Sequence, residues 1–171
     1  MPGNVKPSSF TAGQRVPTSL SALGALVREA DGSGASLAGS TDVQPGTALH
    51  LAQIRVTRAT TSSVETRTPV SAALLNQRGT VQGGVYSVIA DATAGWATEA
   101  FLGNDAYTTT AVTSQLVGAA VQGDVLVTHA HIVHGGRRTI VASAEVYCQR
   151  PGADDRLVAL VTCQQLVLEP S

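Results

Sequence analysis

Hydrophobic and polar residues divide the chain into a polar N-terminal part and a longer part with regular spacing. Residues 1–16 have no periodic pattern and predict a disordered tail. Thr18 or Ser19 could then cap a short helix. Its apolar residues fall on one helical face: Leu20, Leu23, Val27 and Ala30. Residues 32–46 are rich in Gly and Ser, so we assign residues 1–46 to a flexible tail with a short helix and a linker.

Spacing typical of β-strands begins at Ala48, although the alternation is imperfect at first. Leu51, Ile54 and Val56 lie among many threonines and predict a strand. Residues 64–70 have the same character and predict its hairpin partner.

One long helix is predicted over residues 84–102, after a polar loop at 76–84. Gly103 and the two polar residues after it end the helix. Small residues let a helix lie very close to the surface on which it packs. The helix is crowded with them: Ala90, Ala92, Ala94, Gly95, Ala97 and Ala100. We therefore expect this helix to be buried.

Four further β stretches follow the helix: 107–117, 124–133, 139–148 and 157–168. Connections this short are typical of neighbouring antiparallel strands. A single helix lying on a curved antiparallel sheet accounts for the whole order of elements. Residues 47–171 are thus predicted to form one α+β domain.

Composition narrows the classes of function. Hydrophobic residues make up 43% of the chain, which argues against general disorder, and charged residues only 13%, which indicates that some surface is buried in an oligomer. The net charge is −1 and no basic cluster is longer than Arg137-Arg138, so nucleic-acid binding is not expected. No apolar run is long enough to span a bilayer, and residues 1–10 lack the apolar stretch of a signal peptide. We expect a cytoplasmic protein.

The two cysteines, Cys148 and Cys163, are predicted to be reduced thiols. A hairpin turning near Gly152 would place Cys148 opposite about Val158, which is about 16 Å along the strand from Cys163 and too far for a disulfide. No spacing of Cys and His residues indicates a structural metal. His129 and His131 share a strand face, but no third ligand is evident.

Asp91 is the residue of the helix that most needs a chemical explanation. Aspartate is a poor helix former, and no lysine or arginine lies three or four residues away. Its neighbours are mainly alanines and Ile89, which do not match a solvated face. A partly desolvated carboxylate can serve as a general base or nucleophile.

Gly83 and Gly84 open the same helix, and Gly84 lies nearly two turns before Asp91, on the same face. Glycine lets a ligand approach the backbone, and free N–H groups at a helix N-terminus stabilise negative charge. These are the requirements of an oxyanion hole. A flexible loop before the helix would explain the two glycines equally well.

Residues 76–84 (NQRGTVQGG), followed by Asp91 and Gly95, resemble hotdog-fold acyl-CoA thioesterases related to the phenylacetate-pathway (PaaI-like) enzyme. The pattern of that family is an Asn, a Gly and then His-Gly-Gly, with Asp or Glu nine residues after the His. The resemblance covers about residues 48–168. It includes Thr108 to Thr110, Ala119-Ala120, Gly123-Asp124 and Gly136-Arg137-Arg138. It implies the hotdog fold, in which a curved antiparallel sheet wraps one long central helix. The short helix predicted after Thr18 or Ser19 would be an extra N-terminal helix on this fold.

The resemblance also implies roles for individual residues. Gly83 would donate its N–H to the thioester carbonyl, assisted by Asn76. Asp91, from the facing subunit of a homodimer or of a dimer-of-dimers tetramer, would act as general base or nucleophile. Thr109 would hold the attacking water. Gln82 stands where His is common, and glutamine can donate a hydrogen bond but cannot titrate.

The implied substrate is an acyl-CoA thioester, with CoA as part of the substrate and no separate cofactor. Arg137 and Arg138 could bind the CoA phosphates, although a solvated turn would explain them as well. Trp96 is expected to pack in the core or at a subunit interface. Ser87 and Ser114 have no His/Asp arrangement of a serine hydrolase near them.

Two other functions remain as alternatives to acyl-CoA hydrolysis. The first is a non-catalytic acyl-CoA-binding protein, a sensor or scaffold, which Gln82 favours and Asp91 disfavours. The second is a hotdog hydratase, but the sequence has no Asp/His pair at the spacing of those enzymes. Fold alone does not decide among them.

Overall fold

The computed structural model describes residues 35–36 and 46–168. The predicted tail and the helix predicted after Thr18 or Ser19 lie outside the described residues. Two residues of the predicted linker, Ala35–Ser36, form a short strand, β1, which pairs antiparallel with the next strand. The linker is therefore not wholly irregular.

A short helix, α1 (Ala48–Ala52), replaces the start of the first predicted strand. Thr47 caps it, since its hydroxyl accepts a hydrogen bond from the His50 N–H at 3.2 Å. Gln53, in the left-handed conformation, ends it. The expectation that β structure begins at Ala48 is thus wrong, because a capped single turn overrides the imperfect alternation.

The predicted N-terminal hairpin follows. Strand β2 (Arg55–Ala59) pairs antiparallel with β3 (Ser63–Pro69), which confirms the partner assigned from the sequence. After β3, a 3₁₀ turn (Ala72–Leu74) leads to the polar loop before the long helix.

The long helix, α2 (Gly83–Leu102), confirms the prediction within one residue. Gly103 ends it in the left-handed conformation and donates its N–H to the Glu99 carbonyl at 2.7 Å. The predicted close packing is also confirmed. Four alanines of α2 have no exposed surface: Ala90, Ala94, Ala97 and Ala100.

The remaining strands are β4 (Tyr107–Leu116), β5 (Val125–Gly135), β6 (Thr139–Gln149) and β7 (Arg156–Val167). They complete an antiparallel sheet in the order β1-β2-β3-β5-β6-β7-β4, and α2 contacts β3 to β7. The core fills the space between α2 and the sheet.

The expectation that consecutive strands after α2 are all neighbours is wrong for β4 and β5. Strand β4 lies at the far edge and pairs with β7. Residues 117–124 connect it to β5, and they do not form a turn between neighbours. They pair instead with the loop before α2. Val81 donates its N–H to the Ala120 carbonyl at 2.9 Å, and Thr80 forms an isolated β-bridge with Val121.

Asp124 fixes this connection at its end. Its buried carboxylate accepts two hydrogen bonds from Arg150, each 2.8 Å long, and one from the Val121 N–H at 2.9 Å. The Arg150 guanidinium lowers the pKa of Asp124 well below its usual range. Ala120 in the same connection donates its N–H to the Tyr86 hydroxyl of α2. The connection therefore holds the first turns of α2 in place.

Both cysteines are free and buried, which confirms the expectation of reduced thiols. The predicted register was wrong, because Cys148 lies opposite Arg156, and not opposite Val158. An irregularity in the β6–β7 ladder after Val146 accounts for part of this shift.

Candidate active site

Asp91 lies near the middle of α2, half-buried, against the start of the edge strand β4. The Thr109 hydroxyl donates a hydrogen bond to Asp91 Oδ1 at 2.9 Å. The sequence singled out both residues, and the fold brings them together. The second carboxylate oxygen of Asp91, Oδ2, accepts no hydrogen bond from any described residue. The pair can therefore hold and polarise a water molecule.

Gly83 and Gly84 form the first turn of α2, after Gln82 in an extended conformation. No described residue accepts a hydrogen bond from the N–H of either glycine. A Cβ atom on Gly83 would lie 3.0 Å from Leu116 Cδ1, so a side chain there would be crowded. The helix thus begins with unpaired donors at a position where the backbone stands close to β4.

The separation of these two features is the main geometric fact about the site. Gly83 and Asp91 are eight residues apart on one helix. At about 1.5 Å per residue, this places their backbones about 12 Å apart. One helix therefore cannot present both groups to a single thioester carbonyl, for which contacts of about 3 Å are needed.

Asn76 organises the loop that precedes α2. Its side-chain carbonyl accepts hydrogen bonds from the N–H groups of Arg78, at 2.8 Å, and of Thr80, at 3.3 Å. Its amide nitrogen donates to the Thr80 hydroxyl at 2.9 Å. The side chain therefore shapes this loop, and it retains one N–H for a further hydrogen bond.

Gln82 is exposed and forms no side-chain capping hydrogen bond. It borders an open cleft of about 480 Å³ at the start of α2. The cleft is also lined by Leu75, Asn76, Gln77 and Arg78. A ligand that approached Gly83 from this side would meet the Gln82 side chain first.

Arg137 and Arg138 lie exposed in the turn between β5 and β6. Gly135, at the start of this turn, packs so closely on Phe101 that an added Cβ would lie 2.3 Å from the ring. The turn is therefore near the end of α2, whereas Gly83 is at its beginning. The structure does not bring the two arginines together with Gly83 within the chain.

The other candidates from the sequence lie outside the Asp91–Thr109 pair. His129 lies on the outer face of the sheet, 3.6 Å from Glu65, and no cluster of metal-binding side chains occurs among the described residues. Trp96 is buried, as expected. The Ser87 and Ser114 hydroxyls are hydrogen-bonded at 2.8 Å and join α2 to β4.

Sequence reasoning missed Glu99 and Tyr107. Glu99 is fully buried, and no described residue forms a hydrogen bond with either carboxyl oxygen. Burial raises the pKa of Glu99 to about 8, and the negative charge of Asp105 adds to the rise. The spacing could have revealed Glu99, because it lies eight residues after Asp91 on the same side of the helix.

A curved antiparallel sheet wrapped around one long helix is the hotdog fold, as the sequence predicted. Residues 78–153 match the family model of the thioesterase superfamily. No curated protein matches the sequence. No helix in the described part of the chain is both long and apolar enough to cross a bilayer.

Solved structures share this fold. The conserved protein PA5202 from Pseudomonas aeruginosa is 29% identical, with a TM-score of 0.62 over 71% of this chain and 94% of that one. Zebra fish thioesterase superfamily member 2 is 20% identical, with a TM-score of 0.64 over 72% and 88%. A hypothetical thioesterase from Streptococcus pneumoniae, solved with coenzyme A, is 22% identical, with a TM-score of 0.60 over 67% and 87%.

Proposed function

We propose that this protein hydrolyses an acyl-CoA thioester to the free acid and CoA. The observation that carries the proposal is the Asp91–Thr109 hydrogen bond, on the same helix as the unpaired N–H groups at Gly83. A carboxylate held by a hydroxyl can activate water, and free helix N–H groups can stabilise the developing oxyanion. The match to the thioesterase superfamily and the neighbour solved with coenzyme A support the same chemistry.

In the proposed reaction, the Gly83 N–H polarises the thioester carbonyl, with Asn76 shaping the loop beside it. Asp91 takes a proton from a water held by Thr109, and the resulting hydroxide attacks the carbonyl carbon. Collapse of the tetrahedral intermediate breaks the C–S bond and releases the CoA thiolate. The thiolate then takes up the proton that Asp91 removed from the water. Attack by Asp91 itself, through an anhydride, would use the same residues.

We propose further that each site is shared between two copies of the chain, since Gly83 and Asp91 of one copy are about 12 Å apart. Two α2 helices could pack antiparallel about a two-fold axis that passes through Ser87. Because Ser87 is four residues from both Gly83 and Asp91, this axis would place Gly83 of one copy opposite the partner's Asp91. The exposed Val88 lies beside this axis.

Strand β4 supports the same axis. Within the described part of the chain it pairs only with β7, so its other edge is open. Ser114 of β4 is bonded to Ser87, and the exposed Val112 and Leu116 lie two residues to either side of Ser114. Antiparallel pairing of β4 with its copy at Ser114 would cover both apolar side chains.

An activity screen tests the proposal. Release of free thiol is measured with acetyl-, octanoyl-, palmitoyl- and phenylacetyl-CoA, for wild type, Asp91→Asn and the control Asp154→Asn at an exposed turn. We expect Asp91→Asn to lose about 100-fold or more of the activity and Asp154→Asn to resemble wild type. Activity of Asp91→Asn within about threefold of wild type would refute the assignment.

A non-catalytic acyl-CoA sensor or scaffold is the second candidate, because Gln82 cannot titrate. The variants Gln82→His and Gln82→Ala distinguish the enzyme from the sensor or scaffold. If Gln82 contributes a hydrogen bond beside the carbonyl, Gln82→His is active, and Gln82→Ala loses less activity than the roughly 100- to 1,000-fold (about 3–4 kcal/mol) expected for a direct oxyanion donor. A wild type that binds acyl-CoA but is inert, with an active Gln82→His, would favour the sensor.

A further inference from the structure

A row of polar groups continues from Asp91 along α2 into the protein. Gly95 is one turn after Asp91, and Glu99 is one turn after Gly95. A Cβ atom on Gly95 would lie 2.8 Å from the Tyr107 hydroxyl oxygen. The Tyr107 hydroxyl therefore occupies the space that a side chain at Gly95 would fill, between the two acidic residues.

Glu99 has surroundings that suit a neutral acid and not a carboxylate. It has no exposed surface and no hydrogen bond with the described residues. Helical side chains lean toward the N-terminus, so that of Glu99 leans toward Gly95 and the Tyr107 hydroxyl. A buried carboxylate requires a donor, and the Tyr107 hydroxyl is the donor in this row.

Tyr107 and Thr109 are connected through the backbone of β4. They are two residues apart on the strand, so their side chains point to the same face. Thr109 donates to Asp91. A movement of Tyr107 toward Glu99 would therefore displace the segment that holds Thr109 against Asp91.

Resting on the proposed function, we propose that Glu99 is a positioning residue for the Asp91–Thr109 pair and acts through the Tyr107 hydroxyl. Neutral Glu99 leaves Tyr107 over Gly95, and Thr109 stays on Asp91. Ionised Glu99 draws the Tyr107 hydroxyl into a hydrogen bond and loosens the Thr109 contact. Hydrolysis then falls as Glu99 ionises.

Burial and the nearby negative charges favour the protonated form of the buried titratable groups around this row. Asp105, in the loop after α2, disfavours the Glu99 carboxylate. Burial and then the negative charges of Glu99, Asp91 and Asp105 raise the pKa of Tyr107, which keeps its proton available for donation. On β7, burial and then Asp91 raise the pKa of Cys163 to about 12, so this thiol stays neutral.

Tyrosine ring NMR tests the coupling without any substrate. The chain has three tyrosines, and Tyr107→Phe assigns the Tyr107 signal. Because burial raises the pKa of Glu99 to about 8, we expect the Tyr107 ring-carbon signal of wild type to shift with a midpoint near that pH and that of Glu99→Gln to stay constant. Tyr86, buried on α2 with its hydroxyl bonded to the Ala120 N–H, is the internal control. A Tyr107 signal with the same pH dependence in wild type and Glu99→Gln would overturn the proposal.

The pH profile of hydrolysis is the second readout. As Glu99 ionises, kcat of wild type should fall about tenfold between about pH 7 and pH 9, whereas Glu99→Gln should change by less than about twofold. The same decline in Glu99→Gln would overturn the proposal. If no acyl-CoA is hydrolysed at all, the proposed function fails, and the NMR experiment still decides whether Glu99 acts on Tyr107.

Discussion

At the scale of single residues, Asp91 and Glu99 are two acids on one helix in opposite surroundings. Asp91 is half-buried and accepts a hydrogen bond from Thr109. Glu99 is fully buried without a hydrogen-bond partner among the described residues. A half-buried carboxylate that a hydroxyl holds suits a general base, and a buried acid that stays neutral suits a positioning role.

Glu99 should make the free energy of unfolding depend on pH. Below about pH 4.5 the carboxyl is protonated in both the folded and the unfolded chain. As the pH rises, the unfolded chain releases the proton first, because burial holds the pKa of Glu99 in the fold at about 8. Stability is therefore lost between these two values and then levels off.

Urea unfolding of wild type and Glu99→Gln measures this loss. We expect the two proteins to be similar at about pH 4, and Glu99→Gln to be more stable at about pH 9 by at least 1–2 kcal/mol. Glutamine has the shape of the neutral acid and no proton to lose. Parallel stability curves for the two proteins across this range would contradict the assigned surroundings of Glu99.

At the scale of elements, the Gly83 N–H, the proposed oxyanion donor, can be removed without disrupting α2. Proline is well accepted at the first helical position and has no N–H. Gln82 is already extended, as the residue before a proline must be. Gly83→Pro should therefore fold and lose about 100- to 1,000-fold of kcat, as expected for a lost oxyanion donor.

Gly83→Ala is the matched control, because it adds the Cβ atom that meets Leu116 but keeps the N–H. We expect it to retain more activity than Gly83→Pro by at least about tenfold. Circular dichroism shows whether both variants keep the helix. Equal losses in the two variants would mean that crowding at Leu116, and not the lost donor, is responsible.

Elements with a strong local pattern were predictable from the sequence. The helix α2 and the β5–β6–β7 meander follow from small-residue content, alternation and short turns. The edge position of β4 was not predictable, because residues 117–124 pair with Thr80 and Val81, far away in sequence. The helix α1 was missed because a single capped turn has too few residues to show a period.

The candidate site was predictable to a similar extent. Asp91 and Thr109 were found from helix composition and from a family resemblance, and the fold places them in contact. Glu99 was missed because its chemical role depends on whether its carboxyl is buried, and the sequence does not show this. Its spacing from Asp91 marks Glu99 as a candidate, but the burial of its carboxyl is known only from the fold.

At the scale of the whole molecule, the proposed two-fold axis can be tested by cross-linking. Ser114→Cys would place two thiols opposite each other on antiparallel copies of β4, with Cβ atoms about 5 Å apart. The native cysteines are buried and should not interfere. Mild oxidation should give a covalent dimer, whereas Thr110→Cys, four residues off the axis, should remain uncross-linked. The reverse pattern would exclude the axis.

Complementation between two inactive variants tests the shared site most directly. Asp91→Asn has an intact Gly83, and Gly83→Pro has an intact Asp91. The two proteins are unfolded together, refolded as a mixture and assayed with the best acyl-CoA of the screen. Random pairing gives mixed dimers in which one of the two sites has both native residues, so we expect about a quarter of wild-type activity. A mixture no more active than its components, from an active wild type, would contradict the shared site.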